Sequence, residues 1–273
     1  MYRLFSVFPV SMLALVLSTA SMVHAQSDDA NRPGLALPAS AFEVVVPLNV
    51  NLSDGVAAEP ISLSPDIWYG VTDEVSVGLI HSVHGALGFF GFDGAIGTGL
   101  CFTGEDHGCA GGAYNNLGGE VLYAFMNRDG LHFAGNGGFQ AGSLDPFVLA
   151  LKVGMRSMWR SGKFAAMVAP SLFFGITERD SGNDESFTIP LTAHYAVTDT
   201  IHAGVQSGIG GDFQGFADTY FIPVSFAGHY VWNEFTVGGV FSIPFLGASD
   251  VFGGGGVASR TVSLVGSYRG SLW

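Results

Sequence analysis

Apolar side chains recur at every second position over most of the chain. In the segment FEVVVPLNVNL (42–52) the apolar residues form one set, and Glu43 and Asn49 belong to the other. The segments FVLALKVGM (147–155) and YFIPVSFAGHY (220–230) alternate in the same way. Because successive side chains of a strand point to opposite faces, this period of two predicts β-strands with one apolar face.

Short polar or glycine-containing breaks interrupt the alternation at nearly regular intervals. The segments YGVTDEVSVGL (69–79) and YAVTDTIHAGV (195–205) are almost the same, with an aromatic residue, a break and a new alternating stretch. Such breaks are typical of tight hairpins. The alternation and its breaks predict twelve strands, at 42–52, 60–70, 74–84, 113–126, 131–142, 146–159, 164–176, 186–197, 200–210, 218–231, 234–246 and 260–272.

The connections between these strands alternate in length. Five are short, and the other six are mostly longer and richer in glycine and aspartate, the longest being 85–112. This predicts an all-β fold, a transmembrane antiparallel up-and-down β-barrel with short periplasmic turns and longer extracellular loops. Prolines within the predicted strands remove ladder hydrogen bonds, so bulges or early fraying are expected at Pro47, Pro65, Pro170, Pro190, Pro223 and Pro244.

Aromatic residues concentrate at the ends of the predicted strands. One group flanks the short turns and includes Trp68, Tyr123 and Trp159, while a second group, with Phe139 and Phe245, lies toward the longer loops. Two such bands are typical of the membrane interfaces of a barrel. A soluble β-sandwich is the alternative, and it predicts buried aromatic side chains at mid-strand.

The composition agrees with strands that present apolar faces to lipid. Charged residues make up 12% of the 273-residue chain, against about 25% in ordinary soluble domains. After the first 25 residues, no uninterrupted apolar run is long enough to span a membrane as a helix. No nucleic acid partner is expected at a formal net charge of −13, because phosphate binding needs clustered Lys and Arg.

The first residues have the features of an export signal. Arg3 precedes a mostly apolar stretch, and VHA (23–25) is a small-x-small cleavage site, so residues 1–25 are predicted to be a secretory signal peptide. Cleavage after Ala20 is the alternative. Residues 26–40 are predicted to form a flexible periplasmic lead-in.

Two cysteines, Cys101 and Cys109, lie in the longest predicted loop, in the segment CFTGEDHGC. An exported chain keeps disulfides, so a loop-closing disulfide is predicted. Two free thiols are the alternative. A zinc site that includes His107 is disfavoured because no fourth ligand has suitable spacing, and no cofactor is expected.

The signal peptide, the twelve-strand meander and the terminal aromatic Trp273 resemble the Gram-negative outer-membrane β-barrel proteins of the porin-like class, over residues 41–273. The resemblance implies a location in the bacterial outer membrane, contact with outer-membrane lipid and insertion by the barrel-assembly machinery. The chain departs from the class in one respect. The usual ending is Phe with apolar residues at alternate positions before it, whereas Trp273 is out of phase with Tyr268.

The phase of the strands predicts a lumen that contains both acidic and basic side chains. Because barrel closure makes the first and last strands neighbours, an ion pair is predicted across that seam. Two basic residues on the sixth strand either form a ladder that attracts anionic solutes or neutralise the acidic groups. Neutralisation is favoured because unpaired charges in a narrow lumen are costly. The predicted lumen-lining residues are Glu43, Asp66, Glu120, Lys152, Arg156 and Arg269.

Four histidines are also predicted to line the lumen near the periplasmic rim: His132, His194, His202 and His229. A ring of imidazoles is able to bind a metal ion or to titrate near neutral pH. Polar filling of the lumen is the favoured interpretation, because the four positions are spread over separate strands.

Twelve strands enclose a lumen wider than that of an eight-stranded barrel and narrower than that of a sixteen-stranded porin. The predicted function is a narrow passive channel for small hydrophilic solutes. The alternative is a non-conducting structural barrel that anchors an envelope complex for motility, secretion or polysaccharide export. An enzyme is not expected, because there is no G-x-S-x-G motif and the adjacent His81 and Ser82 point to opposite faces of a strand.

Overall fold

The computed structural model describes residues 35–81, 98–103, 113–250 and 255–272. The predicted signal peptide, Cys109 and Trp273 lie outside the described residues, as does most of the predicted lead-in. The disulfide between Cys101 and Cys109 therefore stays a prediction.

The described residues form sixteen β-strands, whose bounds follow the alternating segments of the sequence. They are β1 (Ala41–Asn51), β2 (Ile61–Leu63), β3 (Asp66–Gly70), β4 (Val75–Ile80), β5 (Gly99–Cys101), β6 (Tyr114–Asn115), β7 (Leu117–Arg128), β8 (Leu131–Leu144), β9 (Phe147–Ser161), β10 (Phe164–Val168), β11 (Ser171–Gly175), β12 (Ser186–Ala196), β13 (Ile201–Asp212), β14 (Phe221–Trp232), β15 (Phe235–Ala248) and β16 (Thr261–Ser271). This part of the chain also has a 3-10 turn over Arg179–Ser181 and one short helix, α1 (Phe216–Thr219). None of its helices is long and apolar enough to cross a lipid bilayer.

These strands close into an antiparallel barrel with twelve strand positions. β1 pairs with β16 over its whole length, from Ala41 opposite Ser271 to Asn51 opposite Thr261, which joins the two ends of the sheet. Two positions each hold a pair of short strands, β2 with β3 and β10 with β11. β5 extends the sheet beside β2, and β6 pairs with β5 just before β7. The predicted twelve-strand up-and-down barrel is confirmed.

The prolines of the strands differ in their effect on the ladder. Pro65 and Pro170 fall in the gaps between β2 and β3 and between β10 and β11. Pro223 and Pro244 lie at a register shift between β14 and β15. Pro47 and Pro190 lie in a continuous ladder on one side and stand opposite the two gaps on the other. An interruption of the ladder therefore lies at or opposite each of the six prolines.

The barrel has one end with short turns, and β1 begins and β16 ends there. The connections from β3 to β4, β7 to β8, β9 to β10, β12 to β13 and β14 to β15 contain two to four residues. We call this the short-turn end. At the opposite long-loop end the connections are longer, apart from residues 145–146 between β8 and β9.

The two faces of the barrel wall differ in chemistry. Outward side chains are apolar and exposed, as at Leu151, Leu191 and Val205. The next residues along the same strands point inward and are buried and polar: Lys152, Thr192 and Gln206. An apolar outside around a polar inside is the arrangement of a barrel surrounded by lipid.

Exposed aromatic side chains lie at both ends of the wall, with Tyr123 and Trp159 at the short-turn end and Phe139 toward the long-loop end. Two residues that the sequence analysis placed in these bands belong elsewhere. Trp68 is 3% exposed, and its side chain lies in the interior. Phe245 is buried because the register shift beside it changes which positions of β15 face inward.

Gly138→Ala is expected to lower the free energy of unfolding by about 1–3 kcal/mol, the usual cost of overpacking. A Cβ at Gly138 on β8 would lie 2.1 Å from the backbone oxygen of Gly119 on the paired strand β7. Gly135→Ala on β8 is the matched control, because nothing lies within 4 Å of its Cβ position. Denaturant unfolding in detergent micelles measures both variants. Equal stability of the two would contradict the prediction.

Candidate functional site in the barrel interior

Three charged side chains meet in the barrel interior. Glu120 on β7 accepts a hydrogen bond from Lys152 Nζ at 2.5 Å and is also paired with Arg156. Lys152 and Arg156 lie four positions apart on β9 and therefore on the same face of the strand. The side chain of each is 2% exposed. We call Glu120, Lys152 and Arg156 the charge cluster.

Glycines in the wall let these long side chains approach one another. Gly138 stands between Glu120 and Lys152 in the cross-strand register, so no side chain separates the carboxylate from the ammonium group. Gly78 stands between Trp68 and Glu120 in the same way. A Cβ at Gly78 would lie 2.7 Å from the Trp68 ring, so this glycine leaves room for the indole.

Trp68 and Asp66 complete the surroundings of the cluster. The Cζ atom of Arg156 lies 5.6 Å from the centroid of the Trp68 ring, a cation–π contact. The negative charge of Asp66 acts on both Lys152 and Arg156. Two carboxylates thus face two cations, which is the geometry expected if the charges of the lumen neutralise one another.

Asp66 also fixes the wall toward the long-loop end. Its Oδ1 atom accepts a hydrogen bond from the backbone nitrogen of His81 at 2.7 Å, and the His81 ring nitrogen Nε2 lies 2.7 Å from Tyr114 Oη. Asn116 donates its side-chain amide to the backbone oxygen of His81. His81 is thereby held by structural contacts, and Ser82 lies outside the described residues.

The seam between the first and last barrel strands carries a second contact between opposite charges. Glu43 stands opposite Arg269 in the register of β1 and β16, and Arg269 Nη2 lies 3.4 Å from Glu43 Oε1. Glu43 is 1% exposed. This contact lies where barrel closure led the sequence to predict an ion pair.

Three of the four predicted lumen histidines come together. The rings of His202 and His229 are stacked with centroids 4.9 Å apart, and the ring of His194 meets that of His229 edge-on at 6.2 Å. His132 lies on β8, and its side chain is buried too. Among the described residues, no group of three or more His, Cys, Asp or Glu side chains has the geometry to hold a metal ion.

Uncharged polar side chains line the half of the wall opposite the charge cluster. They stand beside one another in the cross-strand register of β12 to β16 and β1. Neither amide atom of Gln206, which is 1% exposed, has a hydrogen-bond partner. The lumen-lining residues predicted by number were charged or imidazole side chains, and none of these six uncharged residues was among them. We call this set the polar arc: Thr192, Gln206, Ser225, Ser242, Thr261 and Asn51.

Hydrogen bonds join several of these side chains across the strands. Ser225 donates to Ser242 Oγ at 2.9 Å. Beside the arc, Ser263 donates to Asn49 Oδ1 at 2.6 Å, and the Asn49 amide donates to Ser64 Oγ at 3.3 Å. Hydroxyl and amide groups therefore line the wall from β14 around the seam to the loop after β2.

The residues before β1 enter the short-turn mouth of the barrel. Ala36 and Leu37 are buried, and they pack with inward side chains of β3, β4, β7 and β8. The packed inward side chains are Trp68, Ile80, Leu122 and Ala134. We call residues 35–40 the strap. A second apolar group at the seam side of the barrel consists of Val45, Val231, Val240 and Val265.

No protein-family model matches the chain, and no curated protein matches it in sequence. Solved structures match it over most of its length. The NanC porin is 9% identical with a TM-score of 0.51, covering 83% of this chain and 98% of the porin. The KdgM porin is 9% identical with a TM-score of 0.50, covering 85% and 99%. An outer membrane channel from Pseudomonas putida F1 is 13% identical with a TM-score of 0.53, covering 89% and 99%.

These likenesses concern the fold. The chain has a closed antiparallel barrel of the kind found in outer-membrane porins and channels, and the resemblance predicted from the sequence is confirmed at that level. The ten predicted lumen residues belong to a barrel of this kind, with nine of them buried inside it and Arg269 at the seam.

Proposed function

We propose that this protein is an outer-membrane barrel that acts as a narrow passive channel for small hydrophilic solutes. The observation that carries the proposal is the polar arc. Gln206 is buried without a protein partner for either amide atom, which costs free energy unless water or a solute supplies the hydrogen bonds. A wall of hydroxyl and amide groups offers such bonds along the lumen.

The exterior of the barrel supports the outer-membrane location. Its outward side chains are apolar and exposed over the length of the strands, and exposed aromatic residues lie at both ends. Lipid is the environment in which such a surface is stable. The short-turn end then faces the periplasm, and the machinery that assembles outer-membrane barrels inserts the chain.

The charges of the lumen favour solutes that need no strong ionic partner. Glu120 is paired with two cations, and Glu43 contacts Arg269, so these carboxylates are compensated within the protein. A charged solute would compete with these contacts, whereas an uncharged hydroxyl-bearing solute would use the polar arc. The predicted disulfide between Cys101 and Cys109 would limit the size of the loop at the long-loop end of the barrel.

A structural barrel that anchors an envelope complex is the second candidate. The observation in its favour is the packing of the short-turn half, where Val45 is 0% exposed and Leu37 is 5% exposed. Such a barrel would need only its rims for docking. An enzyme is not proposed.

Single-channel recording in a planar bilayer tests the proposed function. The refolded mature protein is expected to give discrete current steps whose size grows with salt concentration, and a smaller step than a sixteen-stranded porin under the same conditions. A change of the step on adding reductant would locate the Cys101–Cys109 loop at the conducting path. A folded, heat-modifiable barrel that gives no steps would refute the channel and favour the structural barrel.

A further inference from the structure

We propose that the strap, residues 35–40, is a gate that narrows the short-turn mouth and leaves it when the channel conducts fully. The proposal rests on the proposed channel function, because a gate has meaning only in a conducting barrel. It adds a moving part that the sequence, which predicted only a flexible lead-in, did not indicate.

The strap is bound to the inner surface of the wall. Leu37 is 5% exposed and Ala36 is 9% exposed, and both pack in the apolar group that contains Trp68 and Leu122. These partners face the barrel interior. The strap therefore lies inside the wall and precedes the β-ladder, which begins at Ala41.

Backbone hydrogen bonds tie the strap to the hairpin of β3 and β4. Leu37 N donates to Ser76 Oγ at 2.8 Å, and Ala39 N donates to Asp73 Oδ1 at 2.9 Å. Ser40 N donates to the backbone oxygen of Gly70 at 2.8 Å. The first of these bonds is buried, and the second is exposed to solvent.

Close packing at Gly70 shows how tightly the strap fits. A Cβ at this inward position would lie 1.9 Å from the backbone oxygen of Pro38, and the next nearest atoms also belong to Leu37 and Pro38. The docked strap therefore depends on a residue without a side chain at Gly70. The three atoms nearest to that Cβ position all belong to the strap, so the strap meets an added methyl group first.

The contacts of the strap suit a part that detaches while the barrel stays folded. Each barrel strand has a hydrogen-bonded ladder on both sides. The strap is held by two buried apolar side chains, three bonds to the hairpin of β3 and β4, and one bond from the Leu272 backbone nitrogen to the Ser40 backbone oxygen. Segments with few buried contacts open locally at far lower cost than the strands they rest on. Detachment would also uncover Trp68, which contacts Arg156 of the charge cluster.

Gly70→Ala is the variant that tests the gate, because the three atoms nearest to the added methyl group all belong to the strap. Gly266→Ala on β16 is the matched control, since nothing lies within 4 Å of its Cβ position. Leu37→Asp is a second variant that disfavours docking from the side of the strap. Heat-modifiability shows that each variant has folded, and two readouts are then compared.

The first readout is hydrogen exchange of the strap. The amides of Leu37 and Ala39 are expected to be protected in the wild type and in Gly266→Ala, and to exchange rapidly in Gly70→Ala and Leu37→Asp. The second readout is single-channel conductance. An extended chain occupies a strip about 5 Å wide in a lumen of only twelve strands, so its release is expected to raise the step about twofold or more.

The outcomes separate the gate from the channel. Rapid exchange of the strap in the wild type, or protection that persists in Gly70→Ala, would overturn the docking. If the strap exchanges rapidly in Gly70→Ala and Leu37→Asp but their current steps equal those of the wild type, the gate is overturned. The proposed channel function is then unaffected. If no protein in the set conducts, the channel function itself is refuted and the gate with it.

Discussion

Glu120→Gln is expected to lower the free energy of unfolding by about 3–5 kcal/mol, the usual cost of leaving a buried charge without its partner. Gln has nearly the size and shape of Glu, so the substitution removes the charge and leaves the packing intact. Lys152 and Arg156 then lose the carboxylate that both of them contact, and two buried cations share the site with Asp66. Denaturant unfolding in detergent micelles measures the loss.

Two further variants show whether charge is the cause. Lys152→Met in the Glu120→Gln background removes one of the two buried cations and is expected to restore part of the stability. Glu185→Gln breaks the contact between Arg179 Nη2 and Glu185 Oε1, which are 2.7 Å apart in the loop after β11. Hydrogen bonding to Arg179 lowers the pKa of Glu185, but the pair is solvent-exposed. Such pairs contribute little, so this variant is expected to unfold like the wild type.

A Glu120→Gln barrel as stable as the wild type would contradict the prediction. It would mean that Lys152 and Arg156 are compensated by other groups, with Asp66 as the first candidate, since its charge acts on both. Asp66→Asn in the Glu120→Gln background would then decide whether the Asp66 carboxylate compensates the charges of Lys152 and Arg156.

The strands were predictable because their signal is local. The alternation of apolar and polar residues needs only a few neighbours, and a one-residue slip would turn a whole apolar face inward. For this reason β12 was predicted at 186–197 and is found at Ser186–Ala196. The same phase places Lys152 and Arg156 on the inner face of β9.

Features that depend on tertiary contacts were predicted poorly. Trp68 shares its phase with Asp66, two residues earlier, so the sequence did hold the signal for an inward indole, and its position near a turn outweighed that signal. Phe245 follows the irregularity at Pro244, where period two no longer holds. Leu37 has no periodic pattern around it, and only the assembled wall provides its binding surface.

Trp68→Ala is expected to cost about 3–5 kcal/mol of unfolding free energy, the range for a large aromatic side chain removed from a packed interior. The indole is 3% exposed, faces Arg156 at 5.6 Å, and lies over Gly78. Its loss leaves a cavity beside the charge cluster and removes the cation–π contact. Trp68→Phe keeps an aromatic face and most of the volume, so a smaller loss is expected.

Trp232→Ala is the matched surface control, because this indole is 64% exposed at the short-turn end. Its removal leaves no internal cavity and is expected to cost much less than Trp68→Ala.

A double-mutant cycle between Trp68→Ala and Leu37→Ala then measures how strongly the strap and the wall depend on each other. Residues in contact are expected to show a coupling energy of about 0.5–3 kcal/mol.

The cycle connects the stability of the interior to the position of the strap. If Trp68 holds Leu37, Leu37→Ala costs less in the Trp68→Ala background than in the wild type, because the largest side chain of their shared apolar group is already gone. Additive losses would mean that the strap does not depend on Trp68 and is held by its other contacts, among them the hydrogen bonds to Ser76 and Asp73. A Trp68→Ala barrel that loses no more than Trp232→Ala would show that the indole is not packed in the interior, and the coupling of strap to charge cluster would fail with it.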